Sequence, residues 1–424
     1  MNLAVIGSGG REHAICFKLK QSEKVNKLIC IPGNAGTEDI AKNIKIDLTN
    51  FDKIYEEIKN YNIDLVIVGP EQPLVDGLVD YLKNKKVKVF GPDKFSSQLE
   101  GSKAFMKNLC KKHKIPTANF GVFEDIQSAT KFIKTNRLPI VVKADGLAAG
   151  KGVSICPTAS DAEIKVKEIL NGKFESSKKV ILEEFIEGEE ISYFLIVDKN
   201  SYHFFGTAQD HKRVLEGDKG LNTGGMGAYS PARNLTEKIE KKILNKIIEP
   251  TLKAMRDLGH PYTGFLYAGL MIKNDEPYLI EYNIRMGDPE CQVLMMRLET
   301  DLLEIFENAS KDSLNKLTIQ WKEFKCMTIV LCSKGYPGKY IKESEIKNLK
   351  KIKTDENNQI FHAGTLKKNG NFFSNGGRVL NITSMDKNLE SCRNNCLKIL
   401  KKIDWIDGFY RKDIGWRAIK NESN

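Results

Sequence analysis

The sequence predicts a multidomain protein with an α/β domain followed by α+β domains, and three observations lead to this prediction. Its 424 residues correspond to about three domains at roughly 150 residues each. Short apolar runs alternate with helical patterns over the first hundred residues, which is typical of a parallel sheet covered by helices. Further along, apolar runs occur in pairs around short polar or glycine-rich turns, and such pairs predict antiparallel hairpins.

The composition is that of a globular protein and limits the function classes. Hydrophobic residues make up 41% and charged residues 29% of the chain, which is too apolar for a disordered chain. No apolar run approaches the roughly 20 residues that cross a bilayer. The first residues, MNLAVIGSGGRE, contain no basic leader or cleavage site, as an export signal would require. We therefore expect a cytoplasmic protein without membrane partners.

The cysteines and the net charge limit the expected compartment and the expected classes of binding partner. Nine scattered cysteines without a CxxC pair suit a reducing compartment, and Cys392 and Cys396 are expected to be core side chains of a helix. The net charge of +11 attracts polyanions, both nucleic acids and phosphorylated metabolites. No zinc-finger, RNP or recognition-helix signature accompanies that charge. Nucleic acid binding is therefore disfavoured.

Residues 1–100 form the predicted α/β domain. Each of its predicted strands ends in glycine or proline, in the runs LAVIG, KLICIPG, DLVIVGP and VKVFGP. Ligands of parallel sheets gather at the carboxyl ends of the strands. The loops that follow these strands are therefore the first candidate site.

Glycines after the first strand resemble a dinucleotide-binding loop, but incompletely. A GxGxxG pattern that starts at Gly7 requires a third glycine where Glu12 stands, and no acidic residue follows the second strand to bind a ribose. A nicotinamide oxidoreductase is therefore a distant alternative. We expect Gly9 and Gly10, with the adjacent Arg11, to bind a smaller phosphate.

Residues 101–324 form the predicted central domain. Helices are expected over SKAFMKNLCKKH and about residues 237–258, and VILEEFI predicts a strand. Hairpins are expected over LPIVVKADGLAAGKGVSIC and over GFLYAGLMI with PYLIEYNIR. The segment AQDHKRVLEGDKGLNTGGMGAYSP is polar and dense in glycine, so we expect a long functional loop without regular structure.

Residues 325–424 form the third predicted domain, a small α+β unit. Strands are expected in MTIVLC, FHAGTLKKNGNFF and GGRVLNIT, followed by the helix that carries the two cysteines. No repeat or low-complexity linker separates the three domains, so we expect them to pack together. The clefts between such domains are where substrates usually bind.

The turn of the first hairpin, GLAAGKGV, is a candidate phosphate-binding element. Only three residues separate Gly146 from Gly150, and Lys151 is followed by glycine, so the turn is not a Walker A loop. Backbone amides of such a turn can cover a triphosphate while Lys143 and Lys151 neutralise its charge. The density of glycines, with Gly152 as the third, favours this interpretation over a plain surface hairpin.

The strand LIEYNIR is a candidate metal site. Side chains alternate along a strand, which places Leu279, Glu281, Asn283 and Arg285 on one face. Glutamate and asparagine supply the hard oxygen ligands that Mg²⁺ takes, with phosphate and water completing its shell. Arg285 offers two parallel donors for a carboxylate or phosphate. We expect Arg285→Ala to lower kcat/KM at least tenfold, with the fold intact.

The motif RMGDPE adds Asp288 and Glu290, and the motif QDHKR adds Asp210, His211, Lys212 and Arg213. His211 is either a general base or a loop histidine, and we favour the loop histidine. No GxSxG motif is present and the histidines have no metal-ligand spacing, so hydrolytic triad chemistry has no support.

A set of motifs together resembles the glycinamide ribonucleotide synthetase family, the phosphoribosylamine–glycine ligases of the ATP-grasp superfamily. The motifs run nearly from end to end of the chain and are GSGGREHA, VGPEQPLVDGLVD, LPIVVKADGLAAGKGV, NTGGMGAYSP, EYNIRMGDPE, FHAGT, GGRVL and YRKDIG. The resemblance implies a Rossmann-like domain at 1–100, an ATP-grasp domain at 101–324 with a mobile lid at about 120–190, and a small α+β domain at 325–424.

The resemblance implies an ATP site between two subdomains. Lys103 and Lys143 are expected on the phosphates. The glycine-rich turn is expected to fold over them with Gly150, Lys151 and Gly152. The adenine edge is expected to contact Glu183, Glu184, Phe185 and Ile186, and the ribose is expected to contact Glu190.

The resemblance also implies the metal and substrate contacts. Glu281 and Asn283 are the expected ligands of Mg²⁺ or Mn²⁺. Unlike many ATP-grasp enzymes, the chain has no acid on the preceding strand, GFLYAGLMI. Arg285 and Asp210 are the expected catalytic residues, with Asp210 on the glycine side. The expected contacts on the phosphoribosylamine side are Gly9, Gly10, Glu71 and Arg285.

The activity implied by the resemblance is the ATP-dependent ligation of glycine to 5-phospho-D-ribosylamine in de novo purine biosynthesis. Glycyl phosphate is the implied intermediate, and glycinamide ribonucleotide, ADP and phosphate are the implied products. Another ATP-grasp carboxylate–amine ligase is the alternative within the same class. The expected partners are these small molecules, and the expected state is a monomer or weak homodimer.

Overall fold

Three regions of the chain pack against one another and share their cores. The computed structural model describes residues 1–148, 152–174, 177–233 and 235–422. One core joins Ala4 and Val66 of the first region to Leu266 and Tyr282 of the central region. A second core brings residues of both regions against Phe361 of the third. The expectation that the regions pack together is therefore confirmed.

The first region is a parallel sheet with helices on its faces, as predicted. Its elements are β1 (Asn2–Gly7), α1 (Gly10–Leu19), β2 (Lys27–Pro32), β3 (Lys42–Asn43), α2 (Phe51–Asn60), β4 (Leu65–Val68), α3 (Glu71–Asp76), α4 (Leu78–Asn84) and β5 (Val89–Phe90). The strand order is β3-β2-β1-β4-β5, and every neighbouring pair is parallel. Because α3 begins directly after β4, Glu71 lies at the carboxyl edge of the sheet.

A four-stranded antiparallel unit opens the central region. Its elements, with two preceding helices, are α5 (Gln98–Gly101), α6 (Lys103–His113), β6 (Phe120–Phe123), α7 (Ile126–Thr135), β7 (Ile140–Ala144), β8 (Val153–Cys156), α8 (Ala159–Glu168) and β9 (Val180–Glu184). The strand order is β6-β9-β7-β8. Helices α7 and α8 pack on this sheet around a core of their own. The predicted hairpin of β7 and β8 is confirmed.

The rest of the central region builds most of a larger sheet. Its elements are β10 (Glu189–Val197), β11 (Tyr202–Asp210), β12 (Arg213–Leu215), β13 (Lys219–Asn222), β14 (Gly227–Ser230), α9 (Glu237–Ile243), α10 (Glu249–Asp257), β15 (Gly264–Lys273), β16 (Glu276–Asn283), α11 (Glu290–Arg297) and α12 (Leu302–Ser310). The predicted helix at 237–258 is present, with a π-helical turn at Leu244–Ile248 between α9 and α10. The predicted hairpin of β15 and β16 is confirmed.

The third region adds strands and two helices. Its elements are β17 (Lys325–Ser333), β18 (Glu345–Ile346), β19 (Asn358–His362), β20 (Thr365–Lys368), β21 (Asn371–Ser374), β22 (Arg378–Asp386), α13 (Leu389–Leu400), β23 (Gly408–Phe409) and α14 (Trp416–Glu422). Cys392 and Cys396 are fully buried on α13, as predicted. All nine cysteines are buried and free.

One nine-stranded sheet runs through the central and third regions. Its strand order is β16-β15-β10-β11-β14-β17-β22-β19, and β23 pairs with the end of β17. The pair β14 and β17 joins the two regions in antiparallel register, with Gly227 opposite Ile329. The third region is therefore hydrogen-bonded into the sheet of the central region.

The long polar segment at 208–231 is not structureless, so that prediction is wrong. It contains the end of β11, all of β14 and a two-stranded ribbon of β12 and β13. The ribbon exposes Leu215 and Leu221 by 55% and 66%. Val214 packs against the core of the third region, but the exposed leucines leave no regular apolar alternation in the sequence.

The described part of the chain contains no helix that is long and apolar enough to cross a bilayer.

Candidate active site

A cavity of about 980 Å³ lies where the first region, the four-stranded unit and the large sheet meet. Two of the predicted residues, Gly150 and Lys151, lie outside the described residues. Most of the others line this cavity, namely Glu71, Lys103, Lys143, Gly152, Glu183, Glu184, Phe185, Ile186, Glu190, Asp210, Glu281, Asn283 and Arg285. The structure therefore brings the predicted ATP, metal and substrate residues together.

Gly9 and Gly10 are the predicted residues that the structure does not bring onto the cavity wall. The N–H of Gly9 donates to Glu12 Oε2 at 2.6 Å, just before α1. A Cβ at Gly10 would meet the side-chain nitrogen of Asn381 at 2.4 Å. The two glycines thus allow close packing behind the wall, and the neighbouring Arg11 lines the cavity instead.

The strand β16 carries the expected metal ligands, although a bulge changes which residues share their face. Gly269 of β15 pairs with Glu281, and Leu270 pairs with Leu279, so Ile280 is an extra residue between them. Leu279 consequently packs in the core. The expectation that Leu279 shares a face with Glu281 is therefore wrong.

Glu281 and Asn283 suit a divalent cation. Burial opposes the charge of Glu281, but Lys212 and Lys143 lower its pKa below the usual range, so the carboxylate is ionised at neutral pH. Asn283 is buried, and its Nδ2 has no hydrogen-bond partner, so this amide nitrogen could donate to a phosphate oxygen while its oxygen is the atom that would ligate a cation. Within the described ranges no cluster of three or more histidine, cysteine or acidic side chains could hold a metal. Phosphate and water would therefore complete the shell.

Two predicted phosphate-binding lysines lie close to these ligands. Lys103 Nζ donates to the carbonyl oxygen of Gly146 at 2.7 Å, so it reaches the glycine-rich turn. Burial and the adjacent Lys143 lower the pKa of Lys103. Lys143 Nζ lies 3.4 Å from the carbonyl oxygen of Ile280, next to Glu281. A triphosphate held here would meet both cations.

Glu183 takes part in a buried ion network. Lys143 Nζ lies 2.9 Å from Glu183 Oε1, and Lys107 Nζ lies 3.0 Å from Glu183 Oε2. Lys107 Nζ also donates to Thr117 Oγ1 at 2.7 Å. The Glu183 carboxylate is therefore engaged by two lysines, while Glu184, the next residue, is exposed at the cavity.

The guanidinium of Arg285 is held between two carboxylates. Its Nε lies 3.1 Å from Glu71 and its Nη2 lies 2.8 Å from Glu100. Burial raises the pKa of Glu71, but Arg285 and Arg11 outweigh it and lower the value to about 2. Burial raises the pKa of Glu100 to about 7 despite Arg285. The two carboxyl groups that share Arg285 thus have well-separated pKa values, because Glu71 is also next to Arg11.

Asp210 lies at the end of β11 beside another buried acid. Burial and the Glu290 carboxylate raise the pKa of Asp210 well above its usual range. Two residues further along the chain, Lys212 pairs with Glu190, and its Nζ lies 3.8 Å from Glu281 Oε1. Burial would lower the pKa of Lys212, but Glu190 raises it well above the ordinary value. Lys212 therefore brings a fixed positive charge to the site.

Models of the phosphoribosylglycinamide synthetase family match three consecutive parts of the chain. The N domain matches residues 1–100, the ATP-grasp (A) domain residues 101–291 and the C domain residues 326–417. The phosphoribosylamine–glycine ligase of Mesorhizobium japonicum is 46% identical over 423 residues, which is 100% of this chain and 99% of that protein.

The chain belongs to the phosphoribosylamine–glycine ligase family. The chloroplastic phosphoribosylamine–glycine ligase of Arabidopsis thaliana is also 46% identical, over 97% of this chain and 79% of that protein. The family resemblance of the motifs is thereby confirmed.

Solved structures of this family share the architecture. The phosphoribosylamine–glycine ligase of Thermotoga maritima superposes with a TM-score of 0.83 at 31% identity, over 97% of this chain and 100% of that chain. A biotin carboxylase of Campylobacter jejuni shares the fold with a TM-score of 0.73 at 16% identity, over 96% and 93%. The predicted multidomain α/β and α+β architecture with an ATP-grasp central part is confirmed. Members of the ATP-grasp group use ATP and divalent metal ions.

Several residues on the cavity wall of this family member were not assigned a role from the sequence. Lys212 and Glu290 were singled out in QDHKR and RMGDPE without a task, and Arg378 lies in the motif GGRVL. Lys107, behind the wall, follows Lys103 by four residues on α6, a spacing that places both on one helix face. Glu100 could not be identified as a site residue from the sequence, because single acidic residues near helix ends are common in proteins and have many structural roles.

Proposed function

We propose that this chain ligates glycine to 5-phospho-D-ribosylamine at the expense of ATP, forming glycinamide ribonucleotide in de novo purine biosynthesis. One observation carries the proposal: Lys103 and Lys143 converge with Glu281 and Asn283 on a single cavity. This combination of two cations and two oxygen ligands is what a metal-bound triphosphate requires. The relatives named for this ligase reaction align over the whole chain.

The chemistry solves a leaving-group problem. A carboxylate does not acylate an amine at neutral pH, because oxide does not leave. An oxygen of the glycine carboxylate attacks the γ-phosphorus of ATP, and the bond from that phosphorus to ADP breaks. The amine of phosphoribosylamine then attacks the carbonyl carbon of glycyl phosphate, phosphate leaves, and the amine loses a proton. Positioning and charge neutralisation by the protein suffice for both steps.

The proposed metal is Mg²⁺, with Mn²⁺ as the alternative, held by Glu281 and Asn283. A bound divalent cation would neutralise the oxygens of the β- and γ-phosphates. The residues of the chain have separate tasks: Lys103 and Lys143 bind the phosphates, and Glu183 keeps Lys143 in place. Gly152, which lines the cavity, would approach the phosphates together with Gly150 and Lys151.

The two remaining substrates are assigned to opposite sides of the cavity. Glu71 and Arg285, at the carboxyl edge of the first sheet, are proposed for phosphoribosylamine, with Gly9 and Gly10 supporting that wall from behind. Asp210 is proposed for glycine, whose ammonium group would stabilise the charged carboxylate that burial and Glu290 disfavour. Phe185 and Ile186 are proposed to face the adenine and Glu190 the ribose.

The reaction is tested by following ADP release with each substrate omitted in turn. Release is expected only when ATP, glycine, phosphoribosylamine and a divalent cation are all present. With glycine labelled by ¹⁸O in its carboxylate, one labelled oxygen is expected in the inorganic phosphate. Turnover with a different acid or amine in preference to these would instead support another ATP-grasp ligase. Unlabelled phosphate would contradict the acyl phosphate.

We further propose that the protein works in the cytoplasm as a monomer or weak homodimer. The buried free cysteines suit a reducing compartment. Sedimentation velocity over a hundredfold range of concentration is expected to show a monomer at the lowest concentrations. A tight dimer at all concentrations would contradict the proposed state.

A further inference from the structure

The segment 410–417, which we call the C-terminal clamp, holds the ribbon of β12 and β13 through a buried arginine. Arg411 is 1% exposed, and its Nε and Nη2 donate to the two carboxylate oxygens of Asp413, each at 2.8 Å. Its Nη1 donates to the carbonyl oxygen of Arg213 at 2.9 Å and lies 3.0 Å from Asp218. A buried guanidinium with its donors engaged in this way is a rigid connector.

Further hydrogen bonds join the clamp to the tip of the ribbon. The N–H of Gly217 donates to Asp413 Oδ2 at 2.8 Å, and the N–H of Lys412 donates to Glu216 Oε1 at 3.1 Å. Trp416 Nε1 donates to Asp218 at 3.2 Å. Val214 of the ribbon packs against the core of the third region, and these polar contacts hold the tip of the ribbon.

The clamp also contacts His211, the residue between Asp210 and Lys212. The N–H of Gly415 donates to His211 Nε2 at 3.1 Å in a buried contact. Because Nε2 accepts, the imidazole is neutral and its proton is on Nδ1. Burial and Arg411, with Arg417, lower the pKa of His211 to about 4 against the opposing effect of Asp218 and Asp413. His211 is therefore uncharged at physiological pH.

The neighbours of His211 are the groups that meet the substrates. Asp210 and Lys212 both line the cavity, and Lys212 Nζ contacts Glu190 and Glu281. The backbone of Lys212 is also held by a hydrogen bond from Thr223, whose N–H donates to the carbonyl oxygen of Lys212 at 2.8 Å. A shift of His211 would move both cavity groups, and a displacement of about 1 Å in a site can cost a hundredfold in rate.

We propose that His211 and Arg411 are positioning residues, through which the C-terminal clamp places Asp210 and Lys212 for the reaction. His211 acts as a hydrogen-bond acceptor and not as a general base. The inference rests on the proposed function for its kinetic consequence, but the clamp itself is a property of the free protein. It also gives a task to the motif YRKDIG, whose charged side chains Arg411, Lys412 and Asp413 do not line the cavity.

Two substitutions of His211 separate the positioning role from a general base. Glutamine can place an acceptor oxygen near the position of Nε2, whereas leucine cannot. We expect His211→Gln to keep kcat/KM for ATP within threefold with an unchanged pH profile. We expect His211→Leu to lower kcat/KM at least tenfold. If both variants lose activity equally and the alkaline or acidic limb of the profile disappears, the histidine is a general base and the proposal fails.

A matched pair of arginines tests the clamp. Arg411 and Arg417 both pair with Asp218, but Arg417 is 65% exposed. We expect Arg411→Gln to speed hydrogen–deuterium exchange of residues 211–223 at least tenfold and to raise KM for ATP, and Arg417→Gln to leave the exchange unchanged. Equal exchange in both variants overturns the clamp. The exchange is measured on the free protein, so it remains decisive if the wild-type chain fails to ligate glycine, a result that would overturn only the proposed function.

Discussion

Arg285 shows how one residue can serve both binding and stability. It is the cation shared by Glu71 and Glu100, so its removal leaves two largely buried acids without a partner. The sequence alone led us to expect an intact fold in Arg285→Ala. The structure leads us to expect a loss of stability as well, because an uncompensated buried charge is costly.

We therefore expect Arg285→Ala to lower kcat/KM at least tenfold, about 1.4 kcal/mol, and to lower the free energy of unfolding by on the order of 3 kcal/mol. Denaturant titration and steady-state kinetics measure the two effects. Adding Glu100→Gln to the variant should recover part of the stability and none of the activity. An unchanged rate in Arg285→Ala would remove this residue from the site.

The buried network of Lys107, Glu183 and Lys143 yields a second prediction. Lys107→Met leaves Glu183 to pair with Lys143 alone and draws that lysine away from the phosphates. We expect a loss of about 2 to 3 kcal/mol in stability and a raised KM for ATP. Lys111 lies on the same helix but is exposed, so Lys111→Met is the matched control and should change stability by less than about 0.5 kcal/mol. Equal effects of the two substitutions would contradict the network.

The sequence identified side chains by their chemistry more readily than by their partners. Glu281 and Asn283 stood out because two oxygen ligands were separated by one residue on a strand. The pairing of two lysines with Glu183 could not be found in this way, because Lys107 comes from α6 and Lys143 from β7. Partners that arrive from different elements leave no local pattern.

At the scale of elements, the β15 and β16 hairpin positions Glu281, the proposed metal ligand. A Cβ at Gly269 would lie 3.1 Å from the Cγ of Glu281, so a larger side chain there must displace the carboxylate. We expect Gly269→Val to weaken metal binding at least tenfold, which a calorimetric titration of Mg²⁺ or Mn²⁺ in the presence of ADP measures. Lys273→Val, on the exposed end of the same strand, should leave the titration unchanged. Normal affinity in Gly269→Val would contradict the assignment of Glu281.

The elements that the sequence predicted well are those with a buried face. Both hairpins of the central region and the first parallel sheet were predicted because their strands are short apolar runs bounded by glycine, proline or polar turns. The ribbon of β12 and β13 was missed because its Leu215 and Leu221 are exposed. The bulge at Ile280 was missed because LIEYNIR has a regular alternation, and only the pairing with β15 inserts the extra residue.

At the scale of the whole molecule, two buried histidines join the first region to the third. The N–H of His362 donates to His13 Nδ1 at 2.8 Å, and Asn34 Nδ2 donates to the carbonyl oxygen of His362 at 2.8 Å. Burial and His362 lower the pKa of His13 to about 3. Burial and Lys367 lower the pKa of His362 to about 4.

These values predict an acid-sensitive stability. Between pH 4 and 6.5 the unfolded chain binds protons on both histidines and the folded chain does not, so the free energy of unfolding falls as the pH falls through this window. Asparagine can retain the acceptor of His13 without titrating. We expect His13→Asn to have a shallower dependence on pH in this window, measured by urea titration, and His113→Gln to match the wild type. A slope unchanged by His13→Asn would contradict the assignment.

The motifs predict the order of the three regions along the chain, but they do not predict the contacts between the regions. The division at residues 100 and 324 stays a prediction, because the cores and the large sheet cross both points. The contact between His13 and His362 joins residues 349 positions apart, and no composition or periodicity connects such distant positions.

The antiparallel pairing of β14 with β17 has a consequence for any shortened form of the protein. A chain cut after residue 324 would leave β14 as a bare edge, with a row of N–H and C=O groups that have lost their partners. Such edges recruit strands from other molecules. A truncated chain is therefore expected to precipitate or self-associate on expression, as light scattering would detect, because the last hundred residues seal the sheet that carries the catalytic cavity.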